Sequence, residues 1–476
     1  MTVDNINVET AIQRVNDLIA AEKDLSPALK ASLEVLLLLV TILANRLGLN
    51  SKNSSKPPSS DPNRKKDLKE PGDRKPGGQH GHIGTTLRPV SDPDLIKELK
   101  VDRNPLPRGV YRIVGYESRQ VVDLDISTVV TEWRAEILED QNGKRYVAQF
   151  PKDVVRPVQY GVGVKVNSVY MSQFQLIPYS RIEDHFQDQM GMPISAGTIN
   201  NFNKDAFERL EFFETWVKKQ LTLSPLVHGD ETGINIDGIK RWLHNVSNDR
   251  YSYYYPHTNR GGEAIDEMGI LPGYLGIICH DHWKPYFKYG SFHALCNAHH
   301  LRELERALEQ DKQQWAGQMI ALLKEINKAT NDASGCLGAA ESEHYRKRYR
   351  ELLCEAELEC PPPEEPVTKK KGRTKRTTAR NLLERLRDFE NETLRFMVDA
   401  NVPFSNNQAE NDLRMTKVQQ KISGCFRSMD GAKTFCRIRS YLTTCRKQGV
   451  TASEALRLLF QGLWPAFMDV KEQGAE

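Results

Sequence analysis

Asp230 ends an apolar run that begins at Pro225, Asp281 ends a second that begins at Tyr274, and Glu410 stands near the start of a basic segment, Asn406-Asn-Gln-Ala-Glu-Asn-Asp-Leu-Arg. Carboxylate oxygens are the ligands that hard divalent cations prefer, and two such ions ~3.5–4 Å apart clamp the attacking and leaving oxygens of an in-line phosphoryl displacement. Two strand ends and one helix can hold such a pair, so the chemistry these residues could do is phosphoryl transfer assisted by two Mg²⁺ or Mn²⁺ ions. Glu231 and Asp237 lie near Asp230 in the chain. Neighbours on a strand alternate faces, so Glu231 is expected to point away from Asp230 and is not counted as a ligand.

The elements that must position these acids can be read from patterning. Leu226 to Ile236 is a strand candidate, with Arg241–Val246 and Tyr251–Tyr255 as antiparallel neighbours and Asp237-Gly238 as a tight turn between the first two. A helix-like stretch, Gly261 to Met268, precedes a buried-looking strand from Tyr274 to Cys279, and Phe292-His-Ala-Leu-Cys precedes a long helix. Strands alternating with helices around an antiparallel meander indicate a mixed α/β sheet of ribonuclease H type. In such a sheet the first and fourth strands are adjacent, which brings Asp230 and Asp281 together although they are 51 positions apart.

Glu410 comes from a helix that Ser405 or Asn406 can cap. Glu410, Arg414, Lys417 and Lys421 fall on one helical face. A carboxylate beside a row of cations suits a metal site under a phosphate backbone, and the later Arg427, Lys433, Arg437 and Arg439 extend the expected DNA-binding set. Taken alone, Glu410 and Arg414 make an ordinary surface ion pair. The two strand-end aspartates favour the metal reading.

His280, His282, His293, Cys296, His299 and His300 form a dense group. Its spacing lacks the paired motifs of a closed zinc site, although Cys296-x-x-His299 could make half of one. The alternative is a supporting role for His299 beside an active-site carboxylate or a phosphate.

The net charge of the 476 residues is only +3, so a nucleic-acid partner must be argued from local patches. Asn50–Val90 carries nine basic residues against four acidic, Val367–Leu383 seven against none, and Glu410–Lys447 nine against three. All eight cysteines fall between Cys279 and Cys445 without a disulfide framework, which suits a reducing cytoplasm. The most apolar segment, Leu33–Leu49, is interrupted by Glu34, Asn45 and Arg46, and reads as an amphipathic helix rather than a membrane span.

Eight regions follow from these patterns. Residues 1–49 are leucine-rich, with a zipper-like seam (Leu29, Leu33, Leu36, Val40, Leu43, Leu47) suited to a short coiled coil and self-association. Residues 50–90 are a basic flexible linker, and 91–166 a small β-rich module with an Asn142-Gly143 turn. Residues 167–221 are a helix-turn-helix-like segment in which Gly191 breaks one helix and Ser195 caps the next. Residues 222–300 are the first part of the catalytic core, 301–400 a helical insertion with a basic linker, 401–447 the glutamate helix and its basic continuation, and 448–476 a helical tail.

The chain carries, in this order, the blocks Asn53-Ser-Ser-Lys-Pro-Pro-Ser-Ser-Asp, Gly77-Gly-Gln-His-Gly-His, His228-Gly-Asp-Glu-Thr, Cys296-Asn-Ala-His-His-Leu-Arg and Asn406-Asn-Gln-Ala-Glu-Asn-Asp-Leu-Arg. The chain resembles the transposases of the insertion sequence 66 family over nearly its whole length. The resemblance implies a DDE transposase with a ribonuclease H-like core, metal-binding Asp230, Asp281 and Glu410, and a Cys-x-x-His element at Cys296 and His299. It implies as partners the DNA of element ends and target, a homo-oligomer on DNA, and small accessory proteins of the same element. Two departures stand out: Asp102–Tyr116 lacks the cysteines of the family's zinc-binding module, so no structural zinc is expected there, and Asp281 lacks the glycine that usually follows it. The rival expectations are a metal-dependent nuclease on the same sheet, a DNA-binding regulator without chemistry, and a zinc protein built on the histidine group.

Overall fold

The computed structural model describes residues 2–3, 6–22, 25–47, 49–50, 53–54, 87–363 and 376–468. Most of the expected basic linker, the Gly-Gln-His-Gly-His block and the centre of the Val367–Leu383 basic stretch lie outside them. The chain separates into two compact units, residues 65–132, and residues 1–64 with 133–476.

In the first unit, residues 87–132 form neither helix nor strand, and Leu99, Val110, Val121 and Val130 stand in solvent. The β-rich module expected over 91–166 is therefore much smaller than its sequence pattern suggests. Alternating apolar residues favour a strand only where a partner ladder and a covering layer exist, and among the described residues neither is present for Arg119–Trp133.

In the second unit, β1 (Thr2–Val3) and β2 (Ile6–Asn7) precede α1 (Val8–Ala21) and α2 (Pro27–Leu47). Leu29, Leu36, Val40, Leu43 and Leu47 of the expected seam are exposed along α2. The Pro27–Ala44 stretch of α2 is long and apolar enough to cross a membrane by length and composition. The expected Asn142-Gly143 turn joins β3 (Ile137–Glu139) to β4 (Arg145–Val147), with Gly143 at φ +78° and the Asp140 carboxylate accepting from the Asn142 and Lys144 N–H groups at 2.9 Å.

Helix α3 (Val162–Val169) runs through a wide turn at Tyr170–Phe174 to α4 (Tyr179–Met190), α5 (Ala196–Arg209) and α6 (Glu211–Thr222). Gly191 ends α4 at φ +59°, where a side chain would be strained, and Ser195 caps α5 by accepting from the Thr198 N–H at 3.2 Å. The helix, break and helix expected for this segment are thus present.

The centre is a five-stranded mixed sheet of β5 (Leu226–Ile236), β6 (Ile239–Ser247), β7 (Ser252–His257), β8 (Ile277–His280) and β9 (Phe292–Leu295), in the order β7-β6-β5-β8-β9. Asp237 (φ +51°) and Gly238 (φ +75°) make the predicted hairpin turn between β5 and β6. Helix α7 (Gly262–Met268) forms the crossover to β8, which pairs parallel to β5 at Leu226↔Ile277 through His228↔Cys279. Two more residues of that register set Asp281 beside Asp230.

After β9 come α8 (Asn297–Glu309), α9 (Gln314–Asp332), α10 (Ala339–Glu359), α11 (Thr378–Asp388) and α12 (Glu390–Leu394), whose Trp315, Leu323, Tyr349 and Leu383 build a core that also takes in Cys279 of β8 and Ala294 of β9. Chain return to the sheet is through α13 (Asn407–Ser423), α14 (Met429–Lys447) and α15 (Ala452–Phe460). Ile234, Ile236 and Leu243 of the sheet pack against Leu413 of α13 and Phe435 of α14, while Val227 and Ile278 share a larger core with α3 to α6 and with Tyr441 and Leu442.

A buried ion pair fixes α13 against β7 and α14: Lys447 Nζ donates to Asp412 Oδ2 at 2.7 Å, and Ser252 Oγ donates to the same oxygen at 2.9 Å. Removing one partner of such a pair strands the other charge. Asp412→Ala is expected to lower stability by about 3 kcal/mol, read from the denaturant midpoint, and adding Lys447→Met should restore most of it. A single variant as stable as the parent would show that the pair does not hold the helix.

Candidate active site

The His228-Gly-Asp-Glu-Thr block lies on β5 at the point where its pairing with β8 stops. Each residue has a distinct partner. His228 Nδ1 meets Asn406 Oδ1 at 2.7 Å, and the Gly229 carbonyl accepts from Asn406 Nδ2 at 2.9 Å. Gly229 has no room for a side chain, because a Cβ there would sit 2.8 Å from Tyr286 Cε1. Asp230 Oδ1 accepts from the Glu231 N–H at 2.8 Å. Glu231, whose side chain is fully buried, accepts from Arg260 Nε at 2.8 Å and from the Tyr286 hydroxyl at 2.9 Å.

Asp281 follows β8 directly. Its Oδ1 accepts from the Trp283 N–H at 3.0 Å, and His282 takes φ +72°, so the chain turns sharply just after the acid. A non-glycine residue in that region is uncommon and clusters at functional sites.

Glu410 sits in the first turn of α13. Asn406 occupies the N-cap position, as the sequence suggests, but its side chain does not cap the helix. It is spent on β5, and its backbone N–H donates to Cys296 Sγ at 3.1 Å. One buried asparagine therefore ties the glutamate helix to the Asp230 strand and to the start of α8.

The Cys296-Asn-Ala-His-His-Leu-Arg block opens α8. Asn297 donates to Thr393 O (2.9 Å) and accepts at its Oδ1 opposite His300 Nδ1 (3.1 Å). His299 Nδ1 lies 3.9 Å from Glu410 Oε1, and Arg302 Nη2 lies 3.8 Å from Glu410 Oε2. The first separation is too long for a hydrogen bond, and among the described residues neither His299 Nδ1 nor Glu410 Oε1 has a hydrogen-bond partner although both are buried. Donor atoms of Cys296, His299 and Glu410 all lie within 4.8 Å of one another. Burial pushes the Cys296 thiol up to about 11, and its sulfur already accepts from Asn406, so the carboxylate is the better ligand of the three.

The electrostatics of the cleft point the same way. Burial, then the charges of Glu231, Asp281 and Glu410, push the Asp230 carboxyl well above the ordinary range. Burial and Asp281 raise Glu231 in spite of Arg260. Acids that repel one another with an unpartnered oxygen at their edge form a site that a divalent cation fits.

The remaining sequence candidates divide. Arg414, Lys417, Lys421, Arg427 and Lys433 are exposed along α13 and the start of α14. Arg437 and Arg439 do not share that face. Arg437 donates to Glu214 and Phe207 O and stacks on the Phe207 ring at 3.8 Å, and Arg439 is buried, donating to Phe174 O at 3.1 Å. Both fall on the inner side of α14, whose burial the basic composition concealed. Sequence reading missed Arg260, Tyr286 and Arg302. A buried Glu231 next to Asp230 demanded a cation, but nothing in the chain said it would be one 29 positions away.

The histidines form a separate neutral group. His280 Nε2 meets His293 Nδ1 at 3.2 Å, with Phe287 packed on both rings. The group holds no closed set of zinc ligands among the described residues.

The family model described as Transposase IS66 family matches residues 158–434, and one described as a family of unknown function matches residues 2–88. No curated protein matches the chain.

Two outcomes test the site's framework. Asn406→Ala deletes two buried hydrogen bonds, so stability should fall by about 1–3 kcal/mol and Glu410-dependent chemistry should fall further than Asn407→Ala lowers it; equal activity of the two variants would remove Asn406 from the framework. Burial lowers His244 and His293 to about 4, against an ordinary value of 6.5. The unfolded chain then binds more protons between those limits, so this contribution to stability is complete above pH 6.5 and is lost as pH falls towards 4. Denaturant midpoints at pH 7.5, 6 and 5 should fall in that order, and His244→Gln should flatten the fall.

Proposed function

This chain belongs to the IS66 family of transposases, and we propose that it cuts DNA at the ends of an insertion sequence and joins the freed ends to target DNA through a DDE site of Asp230, Asp281 and Glu410. The observation that carries this reading is the convergence of three acids, from the middle of β5, the end of β8 and the first turn of α13 held by Asn406, on a cleft where their charges oppose one another. The strand order supports it too: numbered within the sheet, the order is 3-2-1-4-5, as expected of a ribonuclease H-like core.

In this reading the carboxylates of Asp230, Asp281 and Glu410 hold two Mg²⁺ or Mn²⁺ ions. When bound, the ions would supply Lewis-acid stabilisation to the attacking and leaving oxygens of a phosphodiester. The protein's own residues do the positioning. Asn406 sets the depth of Glu410, and His299 and Arg302 flank it from α8. Arg260 and Tyr286 hold the Glu231 carboxylate by hydrogen bonds, so that its charge is already countered from within the chain. Arg414, Lys417, Lys421, Arg427 and Lys433 meet the DNA backbone, and the exposed seam of α2 pairs with a second copy so that two DNA ends are held together. The helix pair α4–α5 is a candidate for reading the element ends, and accessory proteins of the element would act with this chain in the cytoplasm.

The deciding assay is strand cleavage and joining on a plasmid bearing the DNA that flanks the gene, in Mg²⁺ or Mn²⁺. Wild type should yield nicks at the flanks and joined products, while Asp230→Asn, Asp281→Asn and Glu410→Gln should fall to background with DNA binding retained. Near-normal activity in any one of them removes that residue from the triad, and cleavage without joined product favours a nuclease.

A further inference from the structure

Beyond Asp230 the edge of β5 is no longer paired to β8, and the glutamate helix lies along it. A cavity of ≈390 Å³ opens there, lined by Gly233, Asn235, Lys240, Trp242, Lys417 and Gln420 among others, with no carboxylate in its wall. Lys417 Nζ donates to the Gly233 carbonyl at 2.7 Å, and Gln420 Nε2 approaches the same oxygen at 3.4 Å. From the hairpin side, Lys240 Nζ rides over the Trp242 ring, 4.8 Å from its centroid. The ring's other cation, Arg260, is already committed to Glu231.

Two ammonium groups facing one cavity repel each other. Burial and the charge of Lys240 both lower Lys417 from its ordinary range. Neither lysine takes part in an ion pair among the described residues. What would relieve both charges is an anion between them.

The position of the cavity says which anion. Gly233 is three residues past Asp230 on a strand, about 10 Å at ~3.3 Å per residue. Lys417 is seven residues past Glu410 on a helix, again about 10 Å at 1.5 Å per residue. Two independent elements place the cavity the same short distance from the acids, within one or two nucleotides of a phosphate bound there.

We propose that the Lys240–Lys417 cavity is a binding site for a single DNA backbone phosphate that flanks the scissile one, and so sets which phosphodiester reaches the acids. This rests on the transposase reading and adds to it a defined subsite, built by Lys240, Asn235 and Gln420 as well as Lys417. Lys417 holds its ammonium in place through the Gly233 carbonyl, and Trp242 holds that of Lys240, so both donors are preorganised before DNA arrives.

The test is the salt dependence of DNA binding by the full-length chain in EDTA, with a duplex carrying the DNA that flanks the gene. Two cations sharing one phosphate account for one unit of counterion release, so Lys240→Ala/Lys417→Ala should lower the log–log slope by about 0.9. Between roughly 50 and 200 mM salt the loss of affinity should then shrink about 3.5-fold. Lys240→Arg/Lys417→Arg should keep the slope, as should Lys347→Ala on the distant α10. Lys240→Ala alone, at an exposed hairpin position, should already weaken binding with an unchanged melting temperature. An unchanged slope in the double alanine variant overturns the subsite, and a fall of about 1.8 overturns the single shared phosphate. Cleavage of the same DNA by wild type in Mg²⁺ reports the transposase reading separately, so either failure leaves that reading standing.

Discussion

Everything at the cleft depends on one buried side chain, that of Asn406. Sequence separates Asp230 from Glu410 by 180 residues, including a helical insertion, so no local geometry relates the two acids. Asn406 supplies the relation. Its amide reaches the Gly229 carbonyl and the His228 ring, one and two residues before Asp230, and its own N–H reaches Cys296 at the mouth of α8. Leaving such groups unpaired in the interior costs more than any of the bonds gains, so the clamp is close to all-or-none. An aspartate in its place would put a charge against the Gly229 carbonyl, and an alanine would leave that carbonyl without its partner. Only an amide both donates to the strand and accepts opposite His228.

Much of this arrangement is legible in the chain, and the parts that are not have a common cause. The strands bearing Asp230 and Asp281 announce themselves by apolar runs, the Asp237-Gly238 turn by its dipeptide, and α13 by its polar start, because each is a local signal. The register that places Asp281 beside Asp230 follows from the sheet's topology. Partners across the fold do not follow: Glu231 is buried with Arg260 and Tyr286, and Glu410 faces His299 and Arg302, through contacts between elements that no periodicity encodes. The same limit misplaced Arg437 and Arg439. Charge composition marks α14 as a basic surface, whereas its arginines are consumed by Glu214 and by the carbonyls around Phe174, and the helix runs through the core. Residues 91–132 err in the opposite direction, with strand-like composition and no ladder, because β-propensity is a statement about neighbours that this segment lacks.

The sequence blocks gain a physical meaning from these contacts. In His-Gly-Asp-Glu, the histidine and the glycine carbonyl serve Asn406, the missing glycine side chain makes room for Tyr286, and the glutamate anchors Arg260. In Cys-Asn-Ala-His-His-Leu-Arg, the cysteine receives Asn406 and the first asparagine joins α8 to Thr393, while the first histidine and the arginine, three apart on one face, border Glu410. The blocks are therefore halves of one interlocked structure rather than separate motifs, and substitution in one is felt in the others.

The cleft is also where the fold gives up stability. Burial and the neighbouring acids raise the carboxyls of Asp230 and Glu231, and among the described residues only Arg260 is a cation hydrogen-bonded to one of the four acids, directed at the one that is not a proposed ligand. A protein optimised for stability alone would pair Asp230 with a cation of its own, as it pairs Asp412 with Lys447 only two residues from Glu410. The contrast between these neighbouring carboxylates is the most specific functional signal in the molecule. One is neutralised from within the chain and serves as a joint; Asp230 and Asp281 accept only backbone N–H groups and have no ion pair among the described residues, which is the condition for binding charge from outside.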